Sequence, residues 1–166
     1  GVKRDVEEAI KWYRKAADHE YTEAQQQLGR MYYNSQGVEQ DFKEAIKWYR
    51  KAADQEHAES QHKLGGMHYN GEGVERDVEE AIKWYQLAAD QGDSSSQNML
   101  GVIYRDGNGV TQDKVLAHMH FNIATSNGYE DAKKVRDLIA GQMTAEQIAK
   151  AQQLARECVR RKYKDC

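Results

Sequence analysis

Proline is absent from all 166 residues. A proline inside a helix removes a hydrogen-bond donor and clashes with the preceding turn, so nothing of that kind interrupts helix anywhere in this sequence. Long apolar runs are missing too. None approaches the ~20 residues a helix needs to cross a bilayer, and no basic, apolar, small-residue segment opens the sequence as a secretory signal would. Charge of one sign is also missing: 27 acids against 24 bases leave a net charge of −3, without the bias expected of a partner for nucleic acid or anionic lipid. Cysteine is limited to two residues, Cys158 and Cys166. Phosphate-cradling glycine loops, HExxH and a serine nucleophile elbow do not occur, which argues against an enzyme.

What is present is a repeat. The segment Asp5 to Asp18 returns 36 residues later at Asp41 to Asp54, and again at Asp77 to Asp90. A period of that size marks an array of supersecondary units, each covering the apolar face of the next. In the copy at Asp41, Ala45, Trp48, Tyr49, Ala52 and Ala53 form the i, i+3, i+4, i+7, i+8 stripe of an amphipathic helix. Asp41 with Glu44 supplies an N-terminal capping signal, repeated at Asp5 and Asp77. Upstream, Ala24, Leu28, Met31 and Tyr32 form a second stripe with Gly29 on the same side. A glycine inside a helix is unfavourable by about 1 kcal/mol relative to alanine, which close approach of a neighbouring helix would offset. Between the stripes, Gly37 and its counterparts Gly73 and Gly109 supply the turn.

Each unit therefore reads as a helical hairpin, A then B, and the chain as all-α, a solenoid of nine helices. The expected organisation is one domain. A half repeat (1–20) and three repeats (21–56, 57–92, 93–128) form the array, followed at 129–166 by a divergent A helix and a terminal helix near 144–163. In the divergent helix Arg136 and Asp137 stand where Leu28 and Gly29 do, as expected of a cap on which nothing further stacks. Thr144-x-x-Gln147 reads as the capping box of the terminal helix. Gly1-Val2 aligns with Gly37-Val38, so the first B helix arrives without its A partner, and the sequence reads as a piece cut from a longer array. Self-association through this end, near Val6, Ile10 and Tyr13, is the expected consequence.

Leu28-Gly29-x-x-Tyr32, Gly37-Val38-x-x-Asp41 and Ala45-x-x-Trp48-Tyr49-x-x-Ala52-Ala53 resemble the Sel-one-like repeat, a relative of the tetratricopeptide repeat, over residues 1–128. Residues 129–166 resemble the end cap of bacterial members. His68, His120-Phe121 and Ser35 depart from the motif. The resemblance implies a right-handed α/α superhelix and a non-catalytic scaffold or adaptor holding a partner protein or peptide in the concave A-helix groove. A structural module stacking through its repeat ends is the alternative. A remote one is a hydrolase-like activity on cell-wall or β-lactam ligands, which is linked with cysteine-rich relatives.

Carried over residue by residue, the resemblance assigns the groove to Glu23, Gln26, Arg30, Tyr33 and Asn34, then Glu59, His62, Tyr69 and Asn70, then Asn98, Arg105 and Asp106. Tyr33, Tyr69 and Arg105 would form a ladder of side chains enriched at binding hot spots. Asn34, Asn70 and Asp106 precede loops, where capping is preferred over contact with a bound backbone. Trp12, Trp48 and Trp84 sit on the apolar stripe and read as core rather than a ligand cage. No cofactor or metal is expected: His62 and His68 are six apart, His118 and His120 two apart, and neither spacing shares a helix face. Asp106-Gly107-Asn108-Gly109 lacks the acidic twelfth position of a calcium loop, which is Ala117. The acids on the helix faces, such as Glu79 with Lys83, read as i,i+4 surface pairs.

Cys158 and Cys166 would lie about 12 Å apart on an unbroken helix, beyond the ~7 Å limit for a disulfide. A bond requires the chain to turn back near Tyr163; otherwise one thiol is buried and one frayed. Their spacing resembles that in secreted, disulfide-rich relatives, where the bond joins two helices of a hairpin, and an exported or periplasmic setting is preferred on that account. The basic residues around them, Arg156 to Lys164, read as favourable charge at a helix C-terminus rather than a nucleic-acid site.

Overall fold

A computed structural model describes residues 2–164 and 166, with side chains from residue 8 onward. Among the described residues the fold is all-α: α1 (Val2–Asp18), α2 (Thr22–Tyr33), α3 (Phe42–Ala53), α4 (Ala58–Asn70), α5 (Val78–Ala89), α6 (Ser94–Asp106), α7 (Lys114–Ser126), α8 (Asp131–Ala140) and α9 (Ala145–Arg160). They divide into two compact units, residues 1–76 with α1 to α4 and residues 77–166 with α5 to α9.

In the first unit, α2 packs between α1 and α3, and α3 packs on α4. Asp41 caps α3 by accepting from the amides of Lys43 and Glu44, which satisfies two first-turn donors. The helix then buries Ala45, Trp48, Tyr49, Ala52 and Ala53. Gly29 explains itself here: a Cβ on it would stand 2.6 Å from the Tyr49 ring, so the missing side chain is what lets α3 lie against α2. Asp5 departs from the expected cap. The helix α1 already runs from Val2, so Asp5 lies inside it.

The second unit repeats the scheme. Asp77 caps α5 through the amide of Glu80, and Asp113 caps α7 through Val115 and Leu116. Gly101 lies against the Phe121 ring as Gly29 does against Tyr49. The surface pair on α5 joins Lys83 to Glu80 at 3.2 Å rather than to Glu79, so the spacing is i,i+3. The helix α9 opens with the capping box of Thr144 and Gln147, and its Ala155 and Cys158 pack on Met119 and Ile123 of α7.

A period of 36 also appears where no apolar pattern advertises it. Gln25, Gln61 and Gln97 are buried, and the side-chain amide of each donates to the carbonyl of Ala17, Ala53 or Ala89, at 3.2, 3.1 and 3.3 Å respectively. Each is a second bond to a carbonyl in the last turn of a B helix, which already accepts from the turn amide of Glu20, Glu56 or Gly92, and it ties that turn to a side chain of the next A helix. The turn between them is equally regular: Glu20, Glu56, Gly92 and Gly128 all have positive φ.

Candidate functional site

The A-helix residues assigned by resemblance do not share one environment. Glu23, Arg30, Asn34, Glu59, Asn70 and Asp106 are exposed, while Tyr33, His62, Tyr69, Asn98 and Arg105 are half-buried. Gln26 does not belong among them. It is 5% exposed because α2 packs against both α1 and α3, which widens its buried arc beyond a one-sided stripe.

In the first unit Tyr33 closes α2, and its ring lies 5.3 Å from that of Phe42. Its hydroxyl donates to Glu72 Oε2 at 2.9 Å, in the loop after α4. Burial and the Glu72 carboxylate raise the hydroxyl above its ordinary range, so it stays a protonated donor at neutral pH. The equivalent Tyr69 stands in the last turn of α4 beneath the Arg76 guanidinium, 5.5 Å from the ring, and Arg76 Nε also donates to the Tyr69 carbonyl. Asn70 Nδ2 reaches Glu72 Oε1 at 3.2 Å. Both tyrosines thus present partly covered rings held by loop side chains, and rigid aromatic groups of this kind lose little rotamer entropy on binding.

In the second unit Arg105 occupies the equivalent position in α6. It forks onto its neighbour Asp106, with Nε and Nη2 at 2.6 and 2.9 Å from the two carboxylate oxygens. That pair holds the Asp106 carboxyl below its ordinary range. The loop residues after these helices are structural: Gly71 and Gly107 are left-handed C-caps, and Asn34 ends α2 ahead of Ser35, whose φ is +58° where the other repeats have glycine.

The aromatic stripe divides. Trp48 is 5% exposed and Trp84 is 9%, both core, whereas Trp12 in α1 is 62% exposed, with Tyr13 and Tyr21 also open. Ile10 is buried and so lies outside the exposed face expected near it, and Val6 falls outside the described side chains. In the fourth B helix the tryptophan position holds His120, fully buried and bonded through Nδ1 to Gln97 Oε1 at 2.9 Å. Gln97 uses its amide nitrogen on Ala89, so its oxygen is the acceptor and His120 Nδ1 carries the proton. Tyr104 stacks on the ring, its centroid 5.7 Å away. Sequence spacing alone missed this pair.

Cys158 and Cys166 are joined, with Cα atoms 5.4 Å apart. The helix ends at Arg160, earlier than expected, and Lys162 and Tyr163 turn the chain back through positive φ. Tyr163 anchors the turn by donating to Asn127 Oδ1 at 2.9 Å. Among the described residues no group of three or more histidine, cysteine or acidic side chains is placed to hold a metal ion, and no helix is long and apolar enough to cross a membrane.

Hairpins of α-helices repeating every 36 residues, capped by aspartate and spaced by in-helix glycine, define a helical repeat protein. The Sel1 repeat model matches residues 1–21, 22–57, 58–93 and 94–129, and the chain belongs to that family. Among solved structures it is similar to a protective antigen present in uropathogenic Escherichia coli strains that displays an SLR fold. The identity is 35% and the TM-score 0.85, over 95% of this chain and 34% of that one. A Sel1 repeat protein from Oxalobacter formigenes gives 37% identity and a TM-score of 0.76, over 90% and 63%. Helicobacter pylori cysteine rich protein B shares the fold at 24% identity and a TM-score of 0.63, over 81% and 97%. The chain thus spans about a third of the first of these and under two thirds of the second. No curated protein sequence matches it. Sel1 repeat proteins are generally scaffolds for protein interaction and are typically not enzymes.

Proposed function

We propose that the chain is a non-catalytic scaffold that holds a partner protein or extended peptide against its A helices, with Tyr33 and Tyr69 as anchors in the first unit and Arg105 at the equivalent place in the second. The observation that carries this reading is the recurrence of a half-buried aromatic ring, fixed by loop side chains, at the same place in α2 and α4. Exposed Arg30 and Glu59 would supply the polar rim around such anchors. Replacing Tyr33 and Tyr69 together by alanine is expected to weaken the physiological partner by about 2 kcal/mol or more while the far-ultraviolet helical signal stays intact. Calorimetric titration showing unchanged affinity would move binding off the A helices.

A second reading is assembly through the exposed side of α1. It rests on Trp12, which is open to solvent where Trp48 and Trp84 are core.

A further inference from the structure

The second unit contains a cleft of about 390 Å³ walled by α7, α8 and α9, away from the A-helix tyrosines and independent of the reading built on them. Arg136, Asn122, His118 and Arg156 line it together with Gln152 and Ile148. Its polar inventory is lopsided. Arg136 donates through Nη1 to Asn122 Oδ1 at 3.1 Å, and through Nε and Nη2 to Asp137 Oδ1 at 2.9 and 2.7 Å. The single carboxylate at the cleft therefore already accepts twice from Arg136. Asn122 has committed its oxygen to the same arginine, which leaves its amide hydrogens as what it can still offer. Arg156 is exposed and makes no ion pair among the described residues.

His118 contributes little to that surface. The residue is 3% exposed, and its Nδ1, which has no hydrogen-bond partner, is closed to solvent and so does not face the cleft. Burial and the nearby Arg136 charge hold the imidazole below its ordinary range, so at neutral pH it adds no charge to the cleft. The cleft as a whole offers more donors than acceptors. Such a cavity is matched by an acceptor-only group, and a carboxylate meets an arginine with two parallel bonds.

Beside it runs an apolar trough of about 210 Å³, sharing Asn122 and Arg156 and continuing along Ile123, Ala155 and Val159. Its floor, Ile123 and Ala155, is buried, and Val159, 46% exposed, is the apolar side chain it leaves open beside the donor-rich cleft. We propose that the α7–α9 cleft binds the free C-terminal carboxylate of a peptide, the carboxylate meeting Arg156 and the Asn122 amide, with the adjoining apolar side chain in the trough. Arg136, already paired, positions Asn122 and contributes field rather than a vacant fork.

The test compares acetyl-Ala-Ala-Leu with a free carboxylate against the same peptide as its C-terminal amide, titrated into the labelled full chain and followed by amide chemical shifts. The acid is expected to bind with shifts confined to α7, α8 and α9, and the amide at least tenfold more weakly. Arg156→Gln, an exposed substitution that leaves the helix intact, is expected to reduce the acid's affinity about tenfold. It should leave unchanged any partner lost by the Tyr33 and Tyr69 double substitution. Equal binding of acid and amide, shifts elsewhere, no binding at millimolar peptide, or indifference to Arg156→Gln would each overturn the proposal.

Discussion

Histidine at the tryptophan position shows how a single residue changes what a helix needs. Trp48 fills its place with a ring whose one nitrogen is buried without a partner, whereas His120 brings two ring nitrogens into the interior and donates from one of them to Gln97. Burial holds the imidazole down to about 4, whereas unfolded histidine takes up its proton near pH 6.5. Between those values the unfolded chain binds more protons than the folded one, so stability falls as pH falls through the window. The loss attributable to His120 should be on the order of 3 kcal/mol by pH 4. Urea unfolding at pH 7 and pH 4.5 checks this against His120→Phe, which should lose clearly less stability on acidification. Equal losses in both proteins would show that the imidazole is already reached by water.

Elements were legible where their signal is local and periodic. The stripes Ala45 to Ala53 and Ala24 to Tyr32, the aspartate caps of α3 and α5, and the Thr144 capping box all describe one helix at a time, and all were readable from spacing. Gln25, Gln61 and Gln97 were not, because their role is to meet a carbonyl of the preceding helix, and a polar residue in an apolar stripe carries no sign of that partner. Gln26 was misplaced for a related reason: burial from two sides cannot be inferred from one helix's stripe. The B-to-A turn was hidden as well, since glutamate at positions 20 and 56 gives no hint of a left-handed backbone and only Gly92 and Gly128 do. A non-glycine residue there is strained, so Glu56→Gly should stabilise the chain by about 0.5 to 1 kcal/mol in chemical denaturation. A loss of stability instead would mean that φ at Glu56 is negative in solution.

At the scale of the whole molecule, stability in a repeat array is a sum of hairpins and the joints between neighbours, and exposed aromatic side chains favour association. On α1, Trp12 and Tyr13 are open where the equivalent Trp48, Tyr49, Trp84 and Tyr85 are closed. Sedimentation velocity over a wide concentration range should show reversible association that Trp12→Glu suppresses; a strict monomer throughout would leave assembly through α1 without support. The glutamine joints set another limit, on how such a chain can be lengthened or shortened. A splice placed in the short turn between a B helix and the next A helix parts a glutamine from its carbonyl, whereas one placed in the longer loop inside a hairpin, such as Asn34 to Asp41, leaves every joint whole. The cassette to graft or delete therefore runs from loop to loop, 36 residues long and offset by half a hairpin from the A-then-B unit that the sequence motif displays.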